Sequence, residues 1–159
     1  MRAEHINPFI GSLVNAFETM LSCEVRRGQL RLKNQGPAAL YDISGVIGLS
    51  GKAVGTVVVS LSKEVALKAT SIMLMSEATD INEDVVDAVG ELTNMIAGAA
   101  KAKLEEYELS ISLPSVVTGQ DHLLRFSSEV TPICVPFETD WGPLVLEVGL
   151  EVVPEPVAG

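Results

Sequence analysis

The fold is decided by one stretch of the sequence, residues 82–106, which reads NEDVVDAVGELTNMIAGAAKAKLEE. Its periodicity predicts a helix of about 25 residues, roughly 37 Å long at 1.5 Å per residue. Asp80 or Asn82 is suited to cap the start of this helix. Acidic residues fill its first turn and lysines lie near its end, which is the distribution that the helix dipole favours.

The two faces of this helix differ. At about 100° of rotation per residue, one set of polar or small residues shares an arc of about 80°. This set, which we call the polar stripe, consists of Asp87, Glu91, Asn94, Gly98, Lys101 and Glu105. The apolar residues that lie nearly opposite are predicted to pack on the core. They are Val85, Val89, Leu92, Ile96 and Ala99.

The middle of the polar stripe is unusual for a face that only meets water. It is uncharged at Asn94 and Gly98, and Gly90 lies beside it. A glycine inside a helix costs about 1 kcal/mol relative to alanine. We therefore expect the two glycines to let another surface approach the helix backbone closely.

The remaining segments predict an α+β fold. In chain order they are a helix over 8–21, strands over 23–32, 40–49 and 54–61, a helix over 63–75, the long helix, and strands over 109–117, 123–135 and 144–153. Consecutive strands joined by short turns favour antiparallel pairing, as in the expected hairpin of 40–49 with 54–61. The prediction is a mainly antiparallel sheet with the long helix and two further helices packed on it.

Local signals refine three of these segments. Asn7 is predicted to cap the first helix, with Pro8 at the first helical position, and Ser62 to cap the second. Met73 and Met75 are predicted to fill the core at the end of the second helix. Alternation of apolar and other residues along 144–153 predicts a strand with one buried and one half-exposed face.

Bulk composition limits the classes of function. The chain of 159 residues carries a net charge of -10, which argues against binding to nucleic acid or to anionic membranes. One domain is expected over 1–159, with an ordered core over about 5–153. No signal peptide or membrane-length apolar run is visible, so we expect a cytoplasmic location.

Neither cysteines nor histidines indicate a metal site. Cys23 and Cys134 are isolated from each other, as are His5 and His122, and no cluster has metal-ligand spacing. The cysteines are expected to be small buried hydrophobic residues. We predict that this chain holds no metal or cofactor of its own.

The chemistry that the polar stripe offers rests on a carboxylate and a carboxamide, Glu91 and Asn94. An amide accepts a hydrogen bond from water and donates through its nitrogen, which suits it to orient an attacking water. Glu91, one turn away, is suited to bind a cation on a partner. The spacing is weak evidence by itself, because Glu4 and Asn7 share it at a helix start. A merely solvated helix face therefore stays open as an interpretation.

A wider pattern resembles a known family. Asp87-x-x-x-Glu91-x-x-Asn94, followed by Pro114, is similar to the signature of the CheC/CheX family of chemotaxis phosphatases. The text DAVGELTNMIAGAAK and the opening INPFIGSLVNAFETML look like the CheX members of that family. The resemblance covers about residues 5–153.

The resemblance implies a function and roles for residues. Such proteins dephosphorylate CheY, a receiver domain that carries phosphate on an aspartate. By analogy, Asn94 would place a water in line with the phosphoryl group, and Glu91 would pair with the receiver's active-site lysine. Asp87, Gly98 and Lys101 would help to dock the receiver, although Lys101 also fits a simple surface charge. Mg²⁺ would belong to the receiver, and a homodimer joined through its sheets is implied.

Two other functions remain open from the sequence. One is a non-catalytic module of the same fold that binds a receiver or a flagellar-switch protein. The other is a structural or ligand-binding domain whose polar stripe only meets water. The presence of both Glu91 and Asn94 favours the phosphatase.

Overall fold

Three helices pack on one antiparallel sheet in the residues described by the computed structural model, which are 3–33, 41–122 and 131–154. The helices are α1 (Ala3–Met20), α2 (Lys63–Leu74) and α3 (Glu83–Ala102). The strands are β1 (Arg26–Arg27), β2 (Arg31–Leu32), β3 (Tyr41–Ser50), β4 (Ala53–Leu61), β5 (Ser110–Ile111), β6 (Ser115–His122), β7 (Ile133–Thr139) and β8 (Gly142–Val152). No helix of these ranges is long and apolar enough to span a membrane.

The sheet is antiparallel at every pairing between its described strands. Its central order is β7-β8-β4-β3; β1 and β2 both pair with β7, and β5 and β6 both pair with β3. The hairpin of β3 with β4 runs in register from Ile43–Leu61 to Leu49–Gly55. The predicted fold class is therefore confirmed. Of the predicted strand over 123–135, residues 123–130 lie outside the described residues.

The apolar face of α3 packs into the core largely as predicted. Four of its five predicted residues are buried: Val85, Val89, Leu92 and Ile96. Ala99 is exposed, and the prediction for it was wrong. α3 contacts both α1 and α2 as well as β3, so its buried arc is wide and takes in Ala97 and Ala100 instead.

The start of α3 resolves the choice between two caps. The side-chain oxygen of Asn82 accepts a hydrogen bond from the Val85 backbone N–H at 3.1 Å, so Asn82 is the cap. Asp80 instead accepts a hydrogen bond from the Ile81 backbone and pairs with Lys63 at 3.3 Å. These two contacts hold the pKa of the Asp80 carboxyl below its ordinary value.

The end of α3 comes earlier than the sequence predicted. The helix stops at Ala102 rather than near Glu106. Leu104 turns into the core, where it is almost fully buried. Tyr107 then brings its hydroxyl within 2.8 Å of His5 Nε2 on α1. These tertiary contacts draw the chain out of the helix.

The start of α1 also differs from the prediction. The helix begins at Ala3, so Pro8 lies inside it and Asn7 does not cap it. Proline inside a helix removes a backbone hydrogen bond. His5 and Ile6 are both buried, and their burial extends the helix upstream despite that loss.

Two details of α2 differ from the prediction. Ser62 occupies the N-cap position as predicted but makes no side-chain cap bond; instead Asp42 Oδ2 accepts from the Lys63 backbone N–H at 3.0 Å. Met73 packs against the core as predicted, but Met75 does not, because 93% of its surface is exposed. It follows the last helical residue in a left-handed conformation, with φ of 55°, which directs the chain away from the helix.

Strand β8 is buried on both faces, contrary to the predicted half-exposed face. Every residue over 144–150 is buried, including Glu147 at 7% exposure. Glu147 pairs there with the Lys33 side chain and accepts a hydrogen bond from Cys134 Sγ at 3.4 Å. Burial, together with the Glu147 carboxylate, raises the pKa of the Cys134 thiol to about 12. Cys23 is buried as well, so both cysteines lie inside as predicted.

Candidate functional site

The polar stripe of α3 faces away from the core. Asp87, Glu91 and Lys101 are exposed, while Asn94 and Gly98 are half-buried. The sixth predicted member, Glu105, lies beyond the helix in a 3-10 turn, and its place in the stripe was wrong. α3 therefore presents carboxylates, an amide, a glycine and an ammonium group along about 21 Å of one face.

Glu91 and Asn94 have no partner within the described part of this chain. Neither side chain makes a hydrogen bond or an ion pair there. A polar group held on a helix without an internal partner keeps its hydrogen-bonding capacity for water or for a foreign group. The carboxylate and the amide are therefore both available to a partner, as the predicted roles require.

The position of Asn94 is set by its neighbour in the chain. Thr93 is fully buried and lies directly over Gly45 of β3. A Cβ atom added to Gly45 would lie 2.8 Å from Thr93 Cβ, and closer still to Thr93 Oγ1. Thr93 Oγ1 donates to the Val89 carbonyl at 2.7 Å, which fixes its rotamer. This close approach sets the height of α3 above the sheet and the direction of the next side chain.

The two helix glycines have different roles. A Cβ at Gly90 would lie 3.4 Å from Val116 Cγ2 and 3.6 Å from Pro114 Cγ, so its space is taken by this chain. The expectation that a foreign surface approaches there was wrong. A Cβ at Gly98 would meet only Ile111 Cδ1, at 4.0 Å. Of the two, Gly98 is thus the one that leaves room for a partner.

Sequence reasoning missed one hydroxyl–imidazole pair. Ser44 Oγ lies 2.7 Å from His122 Nε2 and 2.6 Å from Ser60 Oγ. His122 Nδ1 lies 2.8 Å from the Gly119 carbonyl, so this nitrogen donates to the carbonyl while Nε2 bonds with Ser44. Ser44 is fully buried, which keeps substrates away from it. The group is a structural network that links β3, β4 and β6.

No other site in the described ranges competes with the polar stripe for chemistry. Among residues 3–33, 41–122 and 131–154, no group of three His, Cys, Asp or Glu side chains is arranged to hold a metal ion. The Cys134 thiol is buried with a raised pKa, and burial also raises the pKa of Cys23. Such thiols are poor nucleophiles near neutral pH.

Comparisons with known proteins bear directly on this helix. The family model described as "Chemotaxis phosphatase CheX" matches residues 43–138, a range that includes α3 and Pro114. The protein named CheY-P phosphatase CheX from Thermotoga maritima is 32% identical over 146 residues, which cover 89% of this chain and 94% of that protein.

Solved structures share the whole architecture. The chemotaxis protein CheX from Vibrio vulnificus has a TM-score of 0.89 and 36% identity, and the match covers 94% of this chain and 100% of that one. The chain in a CheX-CheY-BeF3-Mg²⁺ complex from Borrelia burgdorferi has a TM-score of 0.79 and 21% identity, over 94% of this chain and 99% of that one. The second match is a likeness of fold alone.

Proposed function

Because the chain belongs to the CheX family of chemotaxis phosphatases, we propose that it hydrolyses the aspartyl phosphate of a phosphorylated CheY-like receiver domain. This reaction would end a chemotaxis or other two-component signal. The observation that carries the proposal is the side chain of Asn94, which is held on a rigid helix with no partner in the described part of the chain. Glu91 lies one turn away on the same face.

In the proposed reaction, Asn94 orients the nucleophile. Its amide oxygen accepts a hydrogen bond from a water molecule and holds the water oxygen in line with the phosphorus–oxygen bond. Attack by water forms one P–O bond and breaks the bond to the aspartyl oxygen, which leaves as a carboxylate. The proton that the water loses passes to a phosphate oxygen or to solvent. The products are inorganic phosphate and the unmodified receiver. An acyl phosphate has a good leaving group, so an oriented water suffices without a general base.

Charge on the phosphoryl group is neutralised from the receiver's side. We propose that Mg²⁺ is bound by the receiver and not by this chain, and that the receiver's active-site lysine forms an ion pair with Glu91. Glu91 is exposed and has no ion partner among the described residues, so it is available for such a pair. Its role is to fix the approach of the receiver rather than to take part in bond changes.

The decisive assay follows phosphate release from a receiver that has been labelled by acetyl phosphate or by its kinase. The proposal expects faster release when this protein is added at catalytic amounts. Binding without acceleration would instead identify the non-catalytic module of the same fold. If the protein neither binds nor dephosphorylates any receiver of the source cell, the polar stripe is a helix face that only meets water.

Replacing Glu91 by glutamine is expected to raise KM for the phosphorylated receiver about 10-fold and to change kcat by no more than about two-fold. The substitution keeps the side-chain shape and removes only the charge that pairs with lysine. Steady-state phosphate release at several receiver concentrations measures both constants. The effect should shrink as salt is raised, because ions screen an exposed pair.

A matched control for Glu91→Gln is Glu18→Gln, which removes an exposed carboxylate from a different helix, α1. It should leave both constants unchanged. An unaltered KM in Glu91→Gln would remove the lysine-pairing role. A fall in kcat alone would move Glu91 from docking to the chemical step.

Three further residues of α3 are proposed to dock the receiver. Asp87 is exposed one turn before Glu91 and adds negative charge toward a basic partner. Gly98 leaves room for a close approach, since a Cβ added there would meet only Ile111 Cδ1, at 4.0 Å. Lys101 is exposed at the far end of the stripe, with no ion partner in the described ranges.

We also propose that the protein acts in the cytoplasm as a homodimer joined through its sheet. Strand β6 pairs with β3 on one side, and no described strand covers its other edge. An open edge of this length is suited to pair with a second copy. Sedimentation equilibrium is expected to give twice the chain mass of 16.9 kDa. A mass of one chain at micromolar concentration would contradict the dimer.

A further inference from the structure

One leucine beside the polar stripe is almost fully exposed. Leu113 lies between β5 and β6 with 89% of its surface open. Among the large hydrophobic side chains of the described residues, only Met75 is more exposed. A single exposed leucine is ordinary by itself, so its meaning depends on how and where it is held.

Both neighbours of Leu113 are fixed. The Ser112 backbone N–H donates to the Gly48 carbonyl at 2.9 Å, and the Gly48 N–H donates to Ser112 Oγ, also at 2.9 Å. On the other side, Pro114 packs against Gly90 of α3. Leu113 is therefore held out from the surface by a rigid backbone, and little conformational entropy is left to lose when a partner binds it.

The same contacts place Leu113 along α3. Ile111 lies beside Gly98, and Pro114 and Val116 lie beside Gly90, so the segment runs beside the helix in the opposite direction. The two glycines are about 12 Å apart along the helix axis. Leu113, between Ile111 and Pro114, lies beside the turns that carry Glu91 and Asn94.

We propose that Leu113 is a positioning residue for the phosphatase reaction. Its side chain enters an apolar depression beside the phosphorylated aspartate of the receiver and holds the receiver with its phosphoryl group facing Asn94. This inference rests on the proposed function. The polar stripe supplies charge and hydrogen bonds but no large apolar side chain, and specific interfaces bury apolar anchors at their centre.

Continuity with the polar stripe favours the receiver as the occupant over a second copy of this chain. Leu113 is fixed against the helix that carries Glu91 and Asn94, through Pro114 and Gly90. A partner that covers both Glu91 and Asn94 must pass over the adjacent leucine. A second copy added at the edge of β6 is the rival occupant, and the experiment separates the two.

The test compares Leu113→Ser with Met75→Ser. Both remove an exposed hydrophobic side chain from a non-helical position, and Met75 lies at the end of α2. Leu113→Ser is expected to raise KM for the phosphorylated receiver about 10-fold or more, with kcat at saturation within about two-fold of the parent. Leu113→Met should restore KM, and Met75→Ser should leave it unchanged. Melting temperatures of all variants should match the parent, since neither side chain is buried.

Several results would overturn the inference. An unchanged KM in Leu113→Ser would do so, as would an equal rise in Met75→Ser. Loss of the dimer in Leu113→Ser, measured by sedimentation, would assign the leucine to contact between copies. If the parent released no phosphate, the proposed function would fail separately. The role of Leu113 is then tested by measuring affinity for a receiver activated by beryllium fluoride. Weaker binding by Leu113→Ser than by the parent supports the role of Leu113, and equal binding rejects it.

Discussion

Replacement of Asn94 by alanine is expected to slow phosphate release from a phosphorylated receiver by about 100- to 1,000-fold. The reason is that the amide is the one group assigned to orient the water, and a misplaced reacting atom costs about 100-fold for an error of 1 Å. The fold should persist, because the Asn94 side chain makes no hydrogen bond in the described structure and alanine favours a helix. The receiver should still bind, because Glu91 is retained.

Single-turnover release of phosphate, with this protein in excess, isolates the chemical step of the Asn94→Ala variant. Asn15→Ala is the matched control, since it removes an exposed asparagine from a different helix, α1. Asn94→Gln adds a further test, because one extra methylene displaces the same amide and should also be slow. If Asn94→Ala released phosphate as fast as the parent, the amide would have no part in the reaction.

Periodicity predicted that Glu91 and Asn94 lie on the face of α3 that is turned away from the core, because the two faces of a helix are a local property. Glu91 and Asn94 lie on one side of any helix formed by this stretch, whatever it packs against. The end of the helix is not determined by local sequence. It depends on Leu104, which is buried in the core, and on Tyr107, which meets His5 from the other end of the chain. No pattern within residues 82–106 carries that information.

The two glycines of α3 also show what a local sequence pattern cannot predict. A glycine inside a helix signals a close approach but does not say which surface makes it. Gly90 is covered by Pro114 and Val116 of this chain, whereas a Cβ added at Gly98 would meet only Ile111 Cδ1, at 4.0 Å. The contact of Ser44 with His122 was hidden for a related reason, because only the register of β3 with β6 brings these two residues together.

Replacement of Gly45 by alanine is expected to lower the free energy of unfolding by about 2–3 kcal/mol. The new Cβ would lie 2.8 Å from Thr93 Cβ and closer still to Oγ1, so α3 must move away from β3. Chemical denaturation measures the loss. Gly48→Ala on the same strand is the matched control, because its Cβ would meet only Ser112 Oγ at 3.6 Å and Ser112 Cβ at 3.8 Å, which are ordinary contacts.

The Gly45→Ala variant also tests how the site is positioned. Thr93 precedes Asn94, so a shift of α3 should slow phosphate release under conditions where the variant is fully folded. Adding Thr93→Ala removes the clashing oxygen and methyl group and should recover part of both losses relative to Gly45→Ala. If the free energy of unfolding of Gly45→Ala equalled that of the parent, α3 and β3 would accommodate the new Cβ without loss of stability. A destabilised variant with full activity would mean that the height of α3 above β3 does not determine where the amide of Asn94 meets its substrate.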